Sequence, residues 1–147
     1  MPKMFQRRLI FHGAVVILLG MLAGIPLSMV LLGYIPGNPE DWKLAHMEGL
    51  INGLLLIALA GCGQALVLSE RQFKFLSLNL TLMAHGNILY GWVRGIFGVK
   101  GFDLAPPFVN QVAAVLGGVP VLFAFIAITL VILGAYRKFD YDEDEIF

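Results

Sequence analysis

The chain has 147 residues, 59% hydrophobic and 14% charged, with ten Lys and Arg balancing ten Asp and Glu to a formal net charge of +0. Soluble domains carry roughly 25% charged residues, so this composition excludes an ordinary soluble domain and indicates a membrane protein. The neutral balance supplies no electrostatic pull toward nucleic acid, and the single cysteine, Cys62, rules out an intrachain disulfide.

Leu9 to Leu32 is uncharged over about 24 residues, enough to cross a hydrocarbon core of about 30 Å. It exceeds the roughly 7 to 15 apolar residues of a signal peptide and no small-residue cleavage site follows, so it reads as a retained first span. Pro26 inside it predicts a kink or a freed carbonyl, with Ser28 near enough to compensate. His12 falls at its inner end and reads as an interfacial residue. The second span, predicted from about Leu44 to Leu68, is entered through the turn formers Pro36, Gly37 and Pro39, with Trp42 marking the membrane surface. Cys62, among apolar residues in this run, reads as core packing. Ser69 to Lys74 reads as a short polar loop before a third span, Phe75 to about Gly95. A loop with Gly98, Gly101, Pro106 and Pro107 leads to the fourth, Phe108 to Tyr136. The tail with Asp140, Asp142, Glu143, Asp144 and Glu145 reads as a solvated end.

The expected fold is therefore all-α: one integral membrane domain over residues 1–147, a bundle of four transmembrane helices. Lys3, Arg7 and Arg8, then Arg71 and Lys74, then Arg137 and Lys138 outnumber Lys43, Arg94 and Lys100 on the opposite side, which places both termini in the cytoplasm. The second helix then begins at the outer surface, with His46 within about a turn of it.

Polar side chains inside a bilayer cost roughly 2.5 to 3.5 kcal/mol on insertion scales, so they mark candidate function. His46, Glu48 and Asn52 lie in the second helix; Asn79, His85, Asn87, Tyr90 and Arg94 lie in the third. Counting residues from the helix ends separates His46 and His85 by roughly 10 Å in depth, a poor match to a bis-histidine haem. A single histidine with an open opposite face is easier to build. At about 100° per residue His46 and Gly53 point nearly the same way, with Gly49 about 60° off, like an axial ligand beside a small-residue groove where a flat macrocycle could lie. Asn52 points about 120° away from His46, on the face of Glu48. One subunit does not easily aim both at one site, so the site is expected to be completed between subunits. On the third helix Asn87, Tyr90 and Arg94 form one stripe, with Tyr90 expected at about the depth of Asn52. A tyrosine hydroxyl can donate to a substrate oxygen without bringing charge into the membrane. Arg94 has Glu48, Asp103 or a haem propionate as candidate partners. Tyr90, Trp92 and Arg94 also read as an interfacial anchor, and Asn79 and Asn87 as interhelical hydrogen-bonding groups. No glycine-rich phosphate loop, paired cysteines or serine nucleophile motif is present.

The run Ile-Pro-Gly-Asn-Pro-Glu-Asp-Trp, followed by Ala45-His46 and Asn52-Gly53, resembles the corresponding stretch of the styrene oxide isomerases, small four-span enzymes of the bacterial inner membrane. The specific match covers about Ile35 to Gly53, and Met47-Glu48 stands where the family has smaller residues. The resemblance implies haem b bound through His46 as metal ligand, with ferric iron as Lewis acid, and a homo-oligomer, a trimer, with haem at the subunit contacts. It implies that Asn52 and Tyr90 face the substrate. The implied reaction is isomerisation of an aryl epoxide such as styrene oxide to an aldehyde, supplied by an epoxide-forming monooxygenase. A membrane b-type cytochrome and a haem-free carrier or structural subunit are the alternatives open at the level of sequence.

Overall fold

The computed structural model describes residues 1–99, 101–102 and 104–144, with side chains through Arg137. It comprises α1 (Lys3–Leu31), α2 (Pro39–Cys62), α3 (Glu70–Phe97) and α4 (Phe108–Asp144), with a 3-10 turn at Gly63–Ala65 following α2. No strand occurs among the described residues. Among the described residues three stretches, Lys3–Leu31, Pro39–Ala65 and Phe108–Arg137, are long and apolar enough to cross a membrane. Their outward faces are apolar, with Leu18, Ile25, Leu54, Leu122 and Phe125 all exposed, as expected where lipid rather than water surrounds the bundle. α3 is of similar length, but it carries Asn79, Thr81, His85, Asn87 and Arg94 and falls outside that apolar set.

The helix starts follow from local chemistry. Asn38 caps α2 by accepting from the Glu40 N–H at 3.1 Å, Pro39 occupies the first helical position, and Glu40 and Asp41 lie in the first turn, where the helix dipole favours negative charge. α3 begins earlier than expected. Ser69 Oγ accepts from the Gln72 N–H at 3.3 Å and Gln72 Oε1 accepts from the Ser69 N–H at 2.9 Å, a capping box that turns the supposed polar loop Ser69 to Lys74 into the first turn of a helix. α2 correspondingly stops at Cys62, short of Leu68, because the chain must leave the helix to reach that cap. Cys62 is consequently exposed at a helix end, not packed in the core. Pro26 lies within an unbroken α1, and Ser28 Oγ donates to Gly24 O at 2.9 Å.

α2 packs on α1 and α3, and α4 packs mainly on α3. The α1–α2 contact is backbone to backbone: a Cβ on Gly20 would lie 2.8 Å from Gly49 Cα, and one on Gly53 would lie 2.7 Å from Gly13 O. Small residues permit this approach, as is usual where helices associate in lipid. α2 and α3 are antiparallel neighbours in which Gly91 rests on Ala45 and Gly95 on the Trp42 indole. Trp42 is buried inside the bundle, edge-on against Trp92 with ring centroids 5.5 Å apart. The acidic side chains of the C-terminal tail lie outside the described residues.

Candidate functional site

His46 lies on the face of α2 that meets α1. Its Nδ1 is 2.9 Å from Gly20 O. A carbonyl only accepts, so Nδ1 carries the proton and Nε2 carries the free lone pair. A Cβ on Gly24 would lie 3.2 Å from Nδ1 and 3.3 Å from Cε1, so the missing side chain there makes room for the imidazole. The ring is thus held by a backbone carbonyl and seated against two glycines one turn apart. This is the arrangement by which proteins orient a metal-ligating histidine and fix its tautomer. The sequence signal for the support is the pair Gly20 and Gly24, a spacing of four in α1 that reading α2 alone passes over.

Gly49 and Gly53, expected to border a macrocycle, face α1 instead: the first packs on Gly20 and the second on Gly13 and Ile17. Their small size is used for helix contact. Asn52 is buried, and its Nδ2 donates to Glu48 Oε2 one turn earlier, as their shared face predicts. No hydrogen bond joins Asn52 to His46 or to Tyr90 among the described residues.

Tyr90 is placed differently from expectation. With Gly91 against Ala45 and Ile88 3.0 Å from a Cβ built on Gly49, the helix register sets Tyr90 at the level of His46, and Asn52 about one and a half turns deeper. Counting from the apolar limits treats both helices as upright, whereas the contacts between them fix the offset. The same register puts His85 roughly 8 Å below His46 along the bundle, so these two do not flank one iron. His85 instead meets His12, ring centroids 5.1 Å apart and nearly perpendicular, while its Nδ1 lies 3.0 Å from Thr81 O. His12 is therefore one member of a half-buried histidine pair, and its buried Nδ1 has no hydrogen-bond partner among the described residues. Asn79 Nδ2 donates to Phe75 O of its own helix at 2.8 Å, and this amide makes no interhelical bond among the described residues.

Arg94 pairs with Asp41, which is buried in the first turn of α2. Glu48 is taken up by Asn52, and Asp103 lies outside the described residues. An acid in a helix's first turn ordinarily reads as a solvated dipole partner, so nothing in the sequence distinguishes Asp41 as a buried counter-ion. Among the described residues no three or more His, Cys, Asp or Glu gather into a metal-binding group. A macrocycle that brings its own equatorial donors asks for one axial side chain, and His46, with Nε2 free and Nδ1 fixed, has the chemistry to supply it.

A bundle of apolar helices with one oriented histidine and a tyrosine at its depth defines a helical membrane protein with a candidate cofactor site. The family model for styrene oxide isomerase matches residues 5–136, and the chain belongs to this family. A styrene-oxide isomerase from Pseudomonas fluorescens is similar at 25% identity over 114 residues, covering 69% of this chain and 68% of that protein.

Proposed function

We propose that the protein isomerises an aryl epoxide such as styrene oxide to its aldehyde, with haem b held by His46. The observation that carries this reading is the His46 Nδ1 bond to Gly20 O, which leaves Nε2 as a fixed ligand nitrogen on a chain of the matching family. When bound, the ferric haem supplies a Lewis acid for the epoxide oxygen without requiring a proton donor.

The protein's own residues do the rest. Tyr90 donates a hydrogen bond to the same oxygen as negative charge grows there, and Asn52 orients the substrate from a neighbouring subunit of a homotrimer. Breaking the benzylic C–O bond places positive charge where the ring stabilises it, and a 1,2-hydride shift restores a carbonyl at the adjacent carbon. Substrate and product are isomers, so no electron is gained or lost. The apolar walls exclude water, which would otherwise capture the cation as a diol. On this reading both termini are cytoplasmic, in keeping with lysine and arginine enrichment on cytoplasmic segments, and α3 is a fourth span in a bacterial inner membrane. An upstream monooxygenase supplies the epoxide.

Absorption spectra of the detergent-purified protein and its His46→Ala variant, followed by aldehyde release from styrene oxide, test the reading. A five-coordinate ferric haem and aldehyde formation, both lost in the variant, are expected. A six-coordinate low-spin spectrum without turnover would replace it with electron transfer.

A further inference from the structure

Three side chains at the outer end of the bundle form a chain of contacts that runs from a buried carboxylate to Tyr90. Asp41 is 4% exposed, and its Oδ1 accepts from Arg94 Nη2. A buried carboxylate is strongly destabilising without its partner, so the guanidinium is anchored there. From this anchor Arg94 Nη1 reaches Tyr90 Oη at 3.5 Å, with the guanidinium carbon 5.7 Å from the ring centroid. The guanidinium has donors only, so it occupies a lone pair of the phenol oxygen and the hydroxyl proton must point elsewhere.

The ring is confined on its other sides. A Cβ on Gly101 would lie 2.8 Å from Tyr90 Oη, and one on Gly117 would lie 3.1 Å from Cε2, so both glycines are cut to the shape of this side chain. Phe102 covers it, with ring centroids 6.0 Å apart. Few of the hydroxyl's positions survive, and in those that do the oxygen is polarised by a cation.

We propose that Arg94, anchored by Asp41, is a positioning residue that aims the Tyr90 hydroxyl proton away from the guanidinium and strengthens it as a donor to the substrate oxygen. The inference rests on the assignment of Tyr90 to the epoxide oxygen made above. It gives a reason for placing a buried carboxylate and a half-buried guanidinium beside this tyrosine, where apolar packing would give comparable stability.

The test is a double-mutant cycle on the haem-loaded enzyme, with Tyr90→Phe, Arg94→Gln and both together. Arg94→Gln is expected to lower kcat about tenfold with little change in KM, and to have no effect in the Tyr90→Phe background. Equal losses in both backgrounds would overturn the proposal and leave Tyr90 in place. Full activity of Tyr90→Phe would remove the Tyr90 assignment and this proposal with it. Arg94→Lys keeps a cation for Asp41 but loses the planar fork, so it should fold normally and show the same kcat loss; wild-type turnover in it would also overturn the proposal. An activity-independent arm uses 3-fluorotyrosine labelling of the four tyrosines, with the Tyr90 resonance identified by its absence in Tyr90→Phe. Asp41→Asn and Arg94→Lys are each expected to shift that resonance alone, and an unmoved resonance would count against the contact itself.

Discussion

Two histidine environments share α1 and differ in what α1 offers them. His46 meets it where Gly20 and Gly24 expose a carbonyl and leave room for a ring, so one nitrogen is satisfied and the other is free. His12, on α1 itself, lies against His85 with its Nδ1 buried and without a partner among the described residues. The first environment fixes a tautomer, as a ligand needs; the second leaves a polar atom uncompensated, which costs about 1–3 kcal/mol. Histidine content does not separate the two environments, and the second contact of each ring does.

The largest effect that bears on this contrast is expected at the proposed haem ligand. His46→Ala should abolish the haem band and turnover, while His85→Ala should keep the band; a spectrum lost in His85→Ala and retained in His46→Ala would invert the comparison. Next is the seam that supports His46. Gly49→Ala places a methyl group on the Gly20 backbone and 3.0 Å from Ile88 Cδ1, and should lower stability by about 1–3 kcal/mol in reversible detergent unfolding, with a weaker haem band. Smaller and of opposite sign, His12→Leu removes the unpaired nitrogen and should raise stability by about 1 kcal/mol in the same assay. Smallest is Gly61→Ala, a control for the seam. No atom lies within 4 Å of an added Cβ there, so helix propensity alone acts, with a gain of about 0.5–1 kcal/mol.

Much of the fold was legible because the bilayer restricts what a chain can do. Long apolar runs must be helices, and the turn at Pro36 to Pro39 and the glycines and prolines near 98–107 separate them whatever packs outside. The helix boundaries at Ser69 and Cys62 were harder, since Ser69-Glu70-Arg71-Gln72 is equally a polar loop by composition and a capping box by hydrogen bonding. The pairing of Asn52 with Glu48 followed from helical spacing alone. Gly49 and Gly53 illustrate the opposite case: a four-residue glycine spacing says that something flat or close approaches the backbone, and only the structure identifies it as α1.

The sequence by itself determined the membrane class, the helical fold, the turn at Pro36 to Pro39 and the presence of His46, Asn52 and Tyr90 as polar residues needing a reason, because these depend on local hydropathy and on spacing along one helix. The tertiary structure alone decided that Tyr90 and not Asn52 shares the depth of His46, that Arg94 answers to Asp41, and that Gly20 orients the imidazole. Those relations join residues 26 to 53 positions apart, and the offset between two packed helices is set by which side chains interlock, a quantity no single helix carries.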